Sequence, residues 1–166
     1  MKESEFVGYN EELRTSFKDV KKDYEWRDYQ LKRLVAMFKE NEQAFFDALA
    51  SDLGRCWQST WLSEMVLFYE KMDTLIQNLK SYMKTEYVGN RLWIGPCTSE
   101  INSVPFGTVL VIGPFNYPIL ISDVGVAAAI AGGNCVVFKP SELCPKTSSL
   151  LLKLSPQYLD YRCIRC

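Results

Sequence analysis

The strongest constraint on this chain lies in its second half, where short β-prone apolar runs alternate with helical stretches. Thr108 to Ile112 is a continuous β-prone apolar run, and such runs are expected to be buried on both faces, as in a parallel sheet. Pro118 then opens a helix through Ile130, rich in Ala and Val and carrying one charge, Asp123. Gly132 and Gly133 end it, and Cys135 to Phe138 forms a second apolar run. Pro145 starts a last helix with Leu150, Leu151 and Leu154 on it. Strand, helix, strand, helix in this rhythm reads as a βαβα unit with a parallel sheet and a right-handed crossover. A sheet of two strands is too small to be stable alone, so its open edge and uncovered helix faces invite association.

The first half has a different character. Residues 1–91 hold thirty of the thirty-nine charges, and residues 92–166 hold nine. Amphipathic helices are the natural reading. Asn10 is positioned to cap a helix burying Leu13 and Phe17, and Leu31, Leu34, Val35 and Phe38 follow helical spacing. Asn41 is placed to cap a stretch whose face is Ala44, Phe45, Ala48 and Leu49, with Gly54 as its stop. Leu62, Met65, Tyr69, Met72, Ile76, Leu79 and Met83 then trace a long stripe, which reads as core. Gly89 and Gly95-Pro96 punctuate the middle, and Glu100, Asn102 and Val104 alternate with Ile101 and Ser103 as in a strand. There are no internal repeats.

Several function classes are disfavoured at once. The net charge of -1 gives no electrostatic reason to expect nucleic acid or an anionic membrane. No apolar run is long enough to span a bilayer, and the opening residues lack a signal-peptide pattern, so a cytoplasmic chain is expected. Six scattered cysteines in such a chain do not suggest a disulfide framework. There is no histidine, so the commonest general base and metal ligand is missing, and no metal site is expected.

Ligands of open parallel sheets bind beyond the carboxyl ends of the strands. Two segments fall there: Gly113-Pro114-Phe115-Asn116-Tyr117-Pro118 and Lys139-Pro140-Ser141-Glu142. Asn116 carries an uncharged amide donor suited to a developing oxyanion. Lys139 can meet phosphate or ribose oxygens, and Glu142 can accept from ribose hydroxyls. Each also has an ordinary reading, Asn116 as a helix cap and the two charged residues as solvated turn residues.

The strings PFGTVLVIGPFNYP at 105–118 and FKPSE at 138–142, with Gly133-Asn134 between them, resemble the paired signatures of the aldehyde dehydrogenase superfamily. The ASDLG segment at 50–54 resembles its N-terminal helical region, and the wording is nearest the class-three and fatty-aldehyde branch. The resemblance implies an α/β fold: N-terminal helices over residues 1–91, then a strand or arm over 92–104 like the family's oligomerisation arm. An incomplete Rossmann-like βαβα unit follows over 105–160, and 161–166 is a tail outside the pattern. It implies NAD or NADP as cofactor, with Ile112, Gly113, Pro114 and Phe115 lining the cleft and Lys139 and Glu142 holding the adenosine ribose. Asn116 would be the oxyanion donor, and the substrate an aldehyde. No GxGxxG occurs, and the family binds its dinucleotide without one at this turn. Glu142 disfavours a ribose 2′-phosphate by charge, which favours NAD, and Lys139 softens that preference.

The family's reaction also needs a cysteine nucleophile and a glutamate that activates water, both beyond this stretch of sequence in the family. None of the six cysteines lies in the nucleophile's context. Three readings follow from the sequence. The first is a truncated aldehyde dehydrogenase without catalysis of its own. The second is an interaction isoform that pairs with full-length subunits through the arm. The third is a redox module using the C-x-x-C pair Cys163 and Cys166.

Overall fold

The computed structural model describes residues 3–90, 93, 95 and 97–166, and the backbone alone of residues 3–7 and 10. The helical half comprises α1 (Glu3–Asp19), α2 (Tyr24–Glu40), α3 (Glu42–Leu53), α4 (Trp57–Thr60), a π turn (Trp61–Met65) and α5 (Val66–Tyr82). An antiparallel pair follows, β1 (Glu86–Val88) with β2 (Ser99–Ile101). The second half is β3 (Thr108–Ile112), α6 (Leu120–Ala131), β4 (Cys135–Lys139), α7 (Pro145–Tyr158) and β5 (Ile164–Arg165). The expected alternation of strand and helix is present, and β3 and β4 are parallel.

The parallel sheet has three strands rather than two, in the order β3-β4-β5. The third comes from the last six residues, which carried no strand signal because two residues are too few to show a period. The β3 run is also not buried on both faces: Leu110 is 48% exposed and Ile112 65%. Alternation along the strand explains this. Val109 and Val111 face α6, while Leu110 and Ile112 point to the other side, where α1 reaches only the start of the strand. β4, flanked by neighbours on both edges, is buried from Cys135 to Phe138 as expected.

Local chemistry accounts for most helix boundaries. α1 already runs from Glu3, so Asn10 lies within the helix and does not start it. The side chain of Lys22 folds back over the end of α1, donating to the carbonyls of Ser16, Phe17 and Val20. Asp23 caps α2 by accepting from the Trp26 N–H at 3.1 Å. Asn41 stands at the start of α3 but does not cap it. Its amide instead donates to the Met37 carbonyl and the Tyr158 hydroxyl. Gly54 closes α3 in the left-handed conformation, φ 67°. Leu62 leaves the expected core stripe and is 67% exposed, because it sits in the wider π turn that rotates the helix face. Phe68 is buried in its place, packed edge-on against Phe38 at 4.8 Å.

One core runs through both halves, joining Leu31, Phe38, Phe45 and Met72 to Val126, Ile130, Val136 and Leu151. The Gly133-Asn134 step fastens the sheet to that core. Asn134 accepts from the Gly107 N–H at the head of β3 and donates to the Ala129 carbonyl of α6. Arg27 of α2 donates to the Ala131 carbonyl at 2.8 Å, and its guanidinium occupies the space a Gly133 side chain would need. Gly133 also has φ 77°. Gly133→Ala is expected to destabilise the fold by about 1–3 kcal/mol, from left-handed strain plus displacement of Arg27. Gly89→Ala, with open space at the same atom, should shift the urea midpoint little.

Candidate functional site

The two loops singled out from the sequence meet at the same end of the sheet. The register pairs Ile112 with Lys139, and the Gly113 N–H extends it by donating to the Lys139 carbonyl at 2.9 Å. Gly113 is buried, and a Cβ there would run into Ser122 and the Phe138 ring, so only glycine lets the loop turn so close to α6. Beyond it, Pro114 is half-buried and Phe115 and Asn116 are exposed. The side-chain amide of Asn116 has no hydrogen bond among the described contacts, which leaves it open to an incoming oxygen.

The Asn116 backbone is held firmly. Arg55 donates from one nitrogen to the Asn116 carbonyl and from another to Glu64 at 2.5 Å, with its guanidinium 5.1 Å from the Tyr117 ring centroid. The Glu64 side chain is fully buried, and its second oxygen accepts from the Ile119 and Leu120 N–H groups at 2.8 and 3.2 Å. This carboxylate therefore caps α6, where the helix dipole favours negative charge. The sequence suggested Pro118 or Asn116 for that end of the helix. The group that does the work comes from fifty-five residues upstream of Ile119, so no local pattern could have shown it.

A second distant acid plays the same part at α7. Asp52, within the ASDLG segment, accepts from the Lys146 and Thr147 N–H groups at 3.0 and 2.8 Å and from the Thr147 hydroxyl at 2.9 Å. Between these caps, the Cys144 thiol donates to the Phe115 carbonyl at 3.3 Å and ties the two loops a second time. Burial pushes that thiol above its ordinary pKa, so Cys144 is a neutral hydrogen-bond donor rather than a nucleophile.

Lys139 and Glu142 are both exposed and pair with each other at 2.5 Å. The Lys139 ammonium holds the Glu142 carboxyl below the usual range. Both sit where a ligand beyond the strand ends would reach them, and no hydrogen bond links either to Asn116 among the described residues. Together the loops offer an uncharged donor at one end and a charged acceptor–donor pair at the other. A separate cavity of about 590 Å³, lined by Leu75, Met83, Val104, Phe106 and Ala128, lies toward the opposite end of α6 and contains none of these residues.

Asp123, one turn into α6, is 2% exposed. Burial, and then the neighbouring Glu64 charge, raise its pKa well above the ordinary carboxyl value. One of its oxygens has no hydrogen-bond partner among the described residues.

Comparison with known proteins agrees with this fold. The model of the aldehyde dehydrogenase family matches residues 14–158. Aldehyde dehydrogenase family 3 member H1 of Arabidopsis thaliana is 43% identical over 155 residues, 93% of this chain and 32% of the relative. Mouse aldehyde dehydrogenase family 3 member B2 is 40% identical over 139 residues, 84% of this chain and 29% of the relative. The chain thus spans about a third of the length of the curated relatives it matches. Among solved structures, the substrate-bound state of Staphylococcus aureus AldH superposes with a TM-score of 0.93 at 30% identity, over 96% of this chain and 35% of that one. A succinic semialdehyde dehydrogenase from Streptococcus pyogenes shares the fold at 16% identity, with a TM-score of 0.84 over 99% of this chain and 36% of that one.

Two stability measurements probe the buried acids. Glu64→Ala leaves Arg55 without its carboxylate and α6 without its cap. It should cost about 3–5 kcal/mol in urea unfolding, the range for breaking one side of a buried pair. Asp123→Asn should stabilise the chain at neutral pH. At low pH both folded and unfolded states hold the Asp123 proton and the substitution is neutral. As pH rises past the ordinary carboxyl range, the unfolded state ionises first and the wild type loses stability, with a slope approaching ~1.4 kcal/mol per pH unit. Urea midpoints of the two proteins, measured from pH 3 to 8, should therefore diverge upward with pH.

Proposed function

This chain belongs to the aldehyde dehydrogenase family, and from that membership we propose that it carries the oxyanion donor and the ribose-binding part of an NAD(P)-dependent oxidation of an aldehyde to a carboxylic acid. The observation that carries the reading is the Gly113–Lys139 tie, with the Asn116 amide exposed on one loop and the Lys139–Glu142 pair on the next. In this reading the Asn116 side chain donates to the oxygen that gains charge when the aldehyde carbon is attacked. Arg55, gripping the Asn116 carbonyl, limits the freedom of that donor before substrate arrives.

The residues fit a dinucleotide. The tight turn at Gly113 seats its loop against α6 beside the Lys139 loop, and Lys139 and Glu142 present a donor and an acceptor for ribose hydroxyls. Ile112, Pro114 and Phe115 would line the cleft, with Ile112 and Phe115 exposed there. When bound, the nicotinamide ring accepts the hydride. The Glu142 carboxylate repels a ribose 2′-phosphate and Lys139 attracts it, so NAD is the preferred reading with NADP still compatible. A cytoplasmic location belongs to the same proposal, drawn from scattered cysteines that suggest no disulfide framework.

Turnover needs a thiolate and a water-activating carboxylate near Asn116. Cys144, the thiol nearest the loop, is neutral and engaged, and Glu64 is locked in a cap. We therefore propose that these 166 residues bind cofactor without turning over. A second reading, pairing with full-length subunits, draws support from the exposed side chains of Tyr87, Val88 and Ile101 on the β1–β2 pair, each at least 45% exposed.

One experiment tests the cofactor-binding reading. Purified chain mixed with NAD and an aliphatic aldehyde should give no sustained NADH absorbance, while ligand-observed NMR should detect NAD. Glu142→Ala should weaken that binding by about tenfold, the loss of a charged hydrogen bond worth roughly 1.5 kcal/mol. Sustained turnover, or NAD binding unchanged in Glu142→Ala, would contradict the assignment.

A further inference from the structure

The C-x-x-C spacing of Cys163 and Cys166 is a motif that the proposed function does not use, and the sheet divides it. Side chains alternate faces along a strand, so positions 163 and 166 leave β5 on opposite sides. Cys166 sits with Asp123 of α6 and Ser155 of α7, where burial pushes its thiol up to about 12. Cys163 lies on the α1 side beside Cys135 of β4. The register that pairs Val136 with Ile164 sets residue 135 opposite residue 163, and the Val136 N–H donates to the Cys163 carbonyl at 2.7 Å. The two thiols lie close enough to shift each other's titration, and both are 0% exposed. Neighbouring strands lie roughly 4.8 Å apart, inside the Cα separations that disulfides span, about 4.4–6.8 Å.

We propose that Cys135 and Cys163 form a dithiol site that a peroxide oxidises to a disulfide, fastening β5 to β4. Lys22 completes the site. Lys22 is 9% exposed, and its ammonium is held by three carbonyls at the end of α1 and acts on Cys135. Asp160 is the nearby negative charge, and it acts on both thiols. The Cys163 neighbour and then Lys22 lower the Cys135 pKa, whereas Cys163 is pushed up by its Cys135 neighbour and by burial, which outweigh the lowering by Lys22. Cys135 is therefore the attacking sulfur and Cys163 the resolving one.

The Cys135 thiolate attacks one peroxide oxygen. The O–O bond breaks, the departing hydroxide takes a proton to become water, and Cys135 is left as a sulfenic acid. Cys163 then loses its proton, its sulfur attacks the Cys135 sulfur, and the S–O bond breaks as a second water leaves. Two thiols are oxidised to one disulfide and one peroxide is reduced to two waters. Access comes from β5 itself, a two-residue strand paired on one edge only and thus easily opened.

The test uses the full chain. One equivalent of hydrogen peroxide is added, free thiols are alkylated in denaturant, and peptides from the monomer fraction are mapped by mass spectrometry. The expected product is a Cys135–Cys163 cross-linked peptide, retained in Cys166→Ser and absent in Cys163→Ser. Lys22→Met should slow bridging about three- to tenfold through loss of thiolate, and Lys22→Arg should not. A Cys163–Cys166 bridge, or full alkylation of Cys135 and Cys163 after treatment, overturns the proposal. The wild-type and Cys166→Ser maps decide this even where Cys163→Ser unfolds. A Lys22→Met rate equal to wild type overturns the assignment of Cys135 as the attacking sulfur.

Discussion

A carboxylate with no access to water holds the site end of this molecule together. Ionised Glu64 would be costly to bury alone. It is tolerated because Arg55 supplies a full charge and the first N–H groups of α6 supply two hydrogen bonds. The same arrangement fixes three things at once: where α6 begins, which way the loop from Gly113 to Pro118 turns, and how the Asn116 backbone is held. Burial still pushes the Glu64 pKa up, so the pairings only partly offset the lost hydration. Burial keeps Asp123 neutral beneath the helix start, and the nearby Glu64 charge adds to that.

Asp52 extends the same logic to α7. Both helices that flank the candidate site are thus capped by acids contributed from the helical half. That half is not a separate decoration on the βαβα unit. It supplies the caps, the Arg27 contact at the far end of α6 and one wall of a shared core. A site built this way is stiff in its backbone and open in its side chains, which suits binding and orienting a ligand better than supplying a reactive group. The thiols agree with that division. Cys144 serves as a hydrogen-bond donor inside the fold, and Cys135 and Cys163 lie on the far side of the strands from α6.

The strands, their parallel pairing and the two candidate loops were legible because each leaves a local trace: continuous apolar residues, proline at a helix start, glycine at a close approach. Where the reading failed, the cause was a neighbour distant in sequence. Leu110 and Ile112 look like core residues, yet their exposure depends on how far α1 extends over the sheet. Leu62 fits a helical stripe that a π turn then displaces. Asn41 has the chemistry of a cap, but Tyr158 and Met37 claim its amide. The strand in the last residues is too short for any period to reveal.

The sequence by itself determined the family, the alternation of strands and helices, and the residue types at the strand ends, because those depend on local propensity and on motifs written contiguously. Only the tertiary structure decided which acids cap which helices, that Arg55 grips the Asn116 loop, and that Cys163 partners Cys135 rather than Cys166. Each of these joins residues nine to ninety-five positions apart or depends on which face of a strand a side chain takes. Such pairings follow from packing in three dimensions, and spacing along the chain carries no record of them.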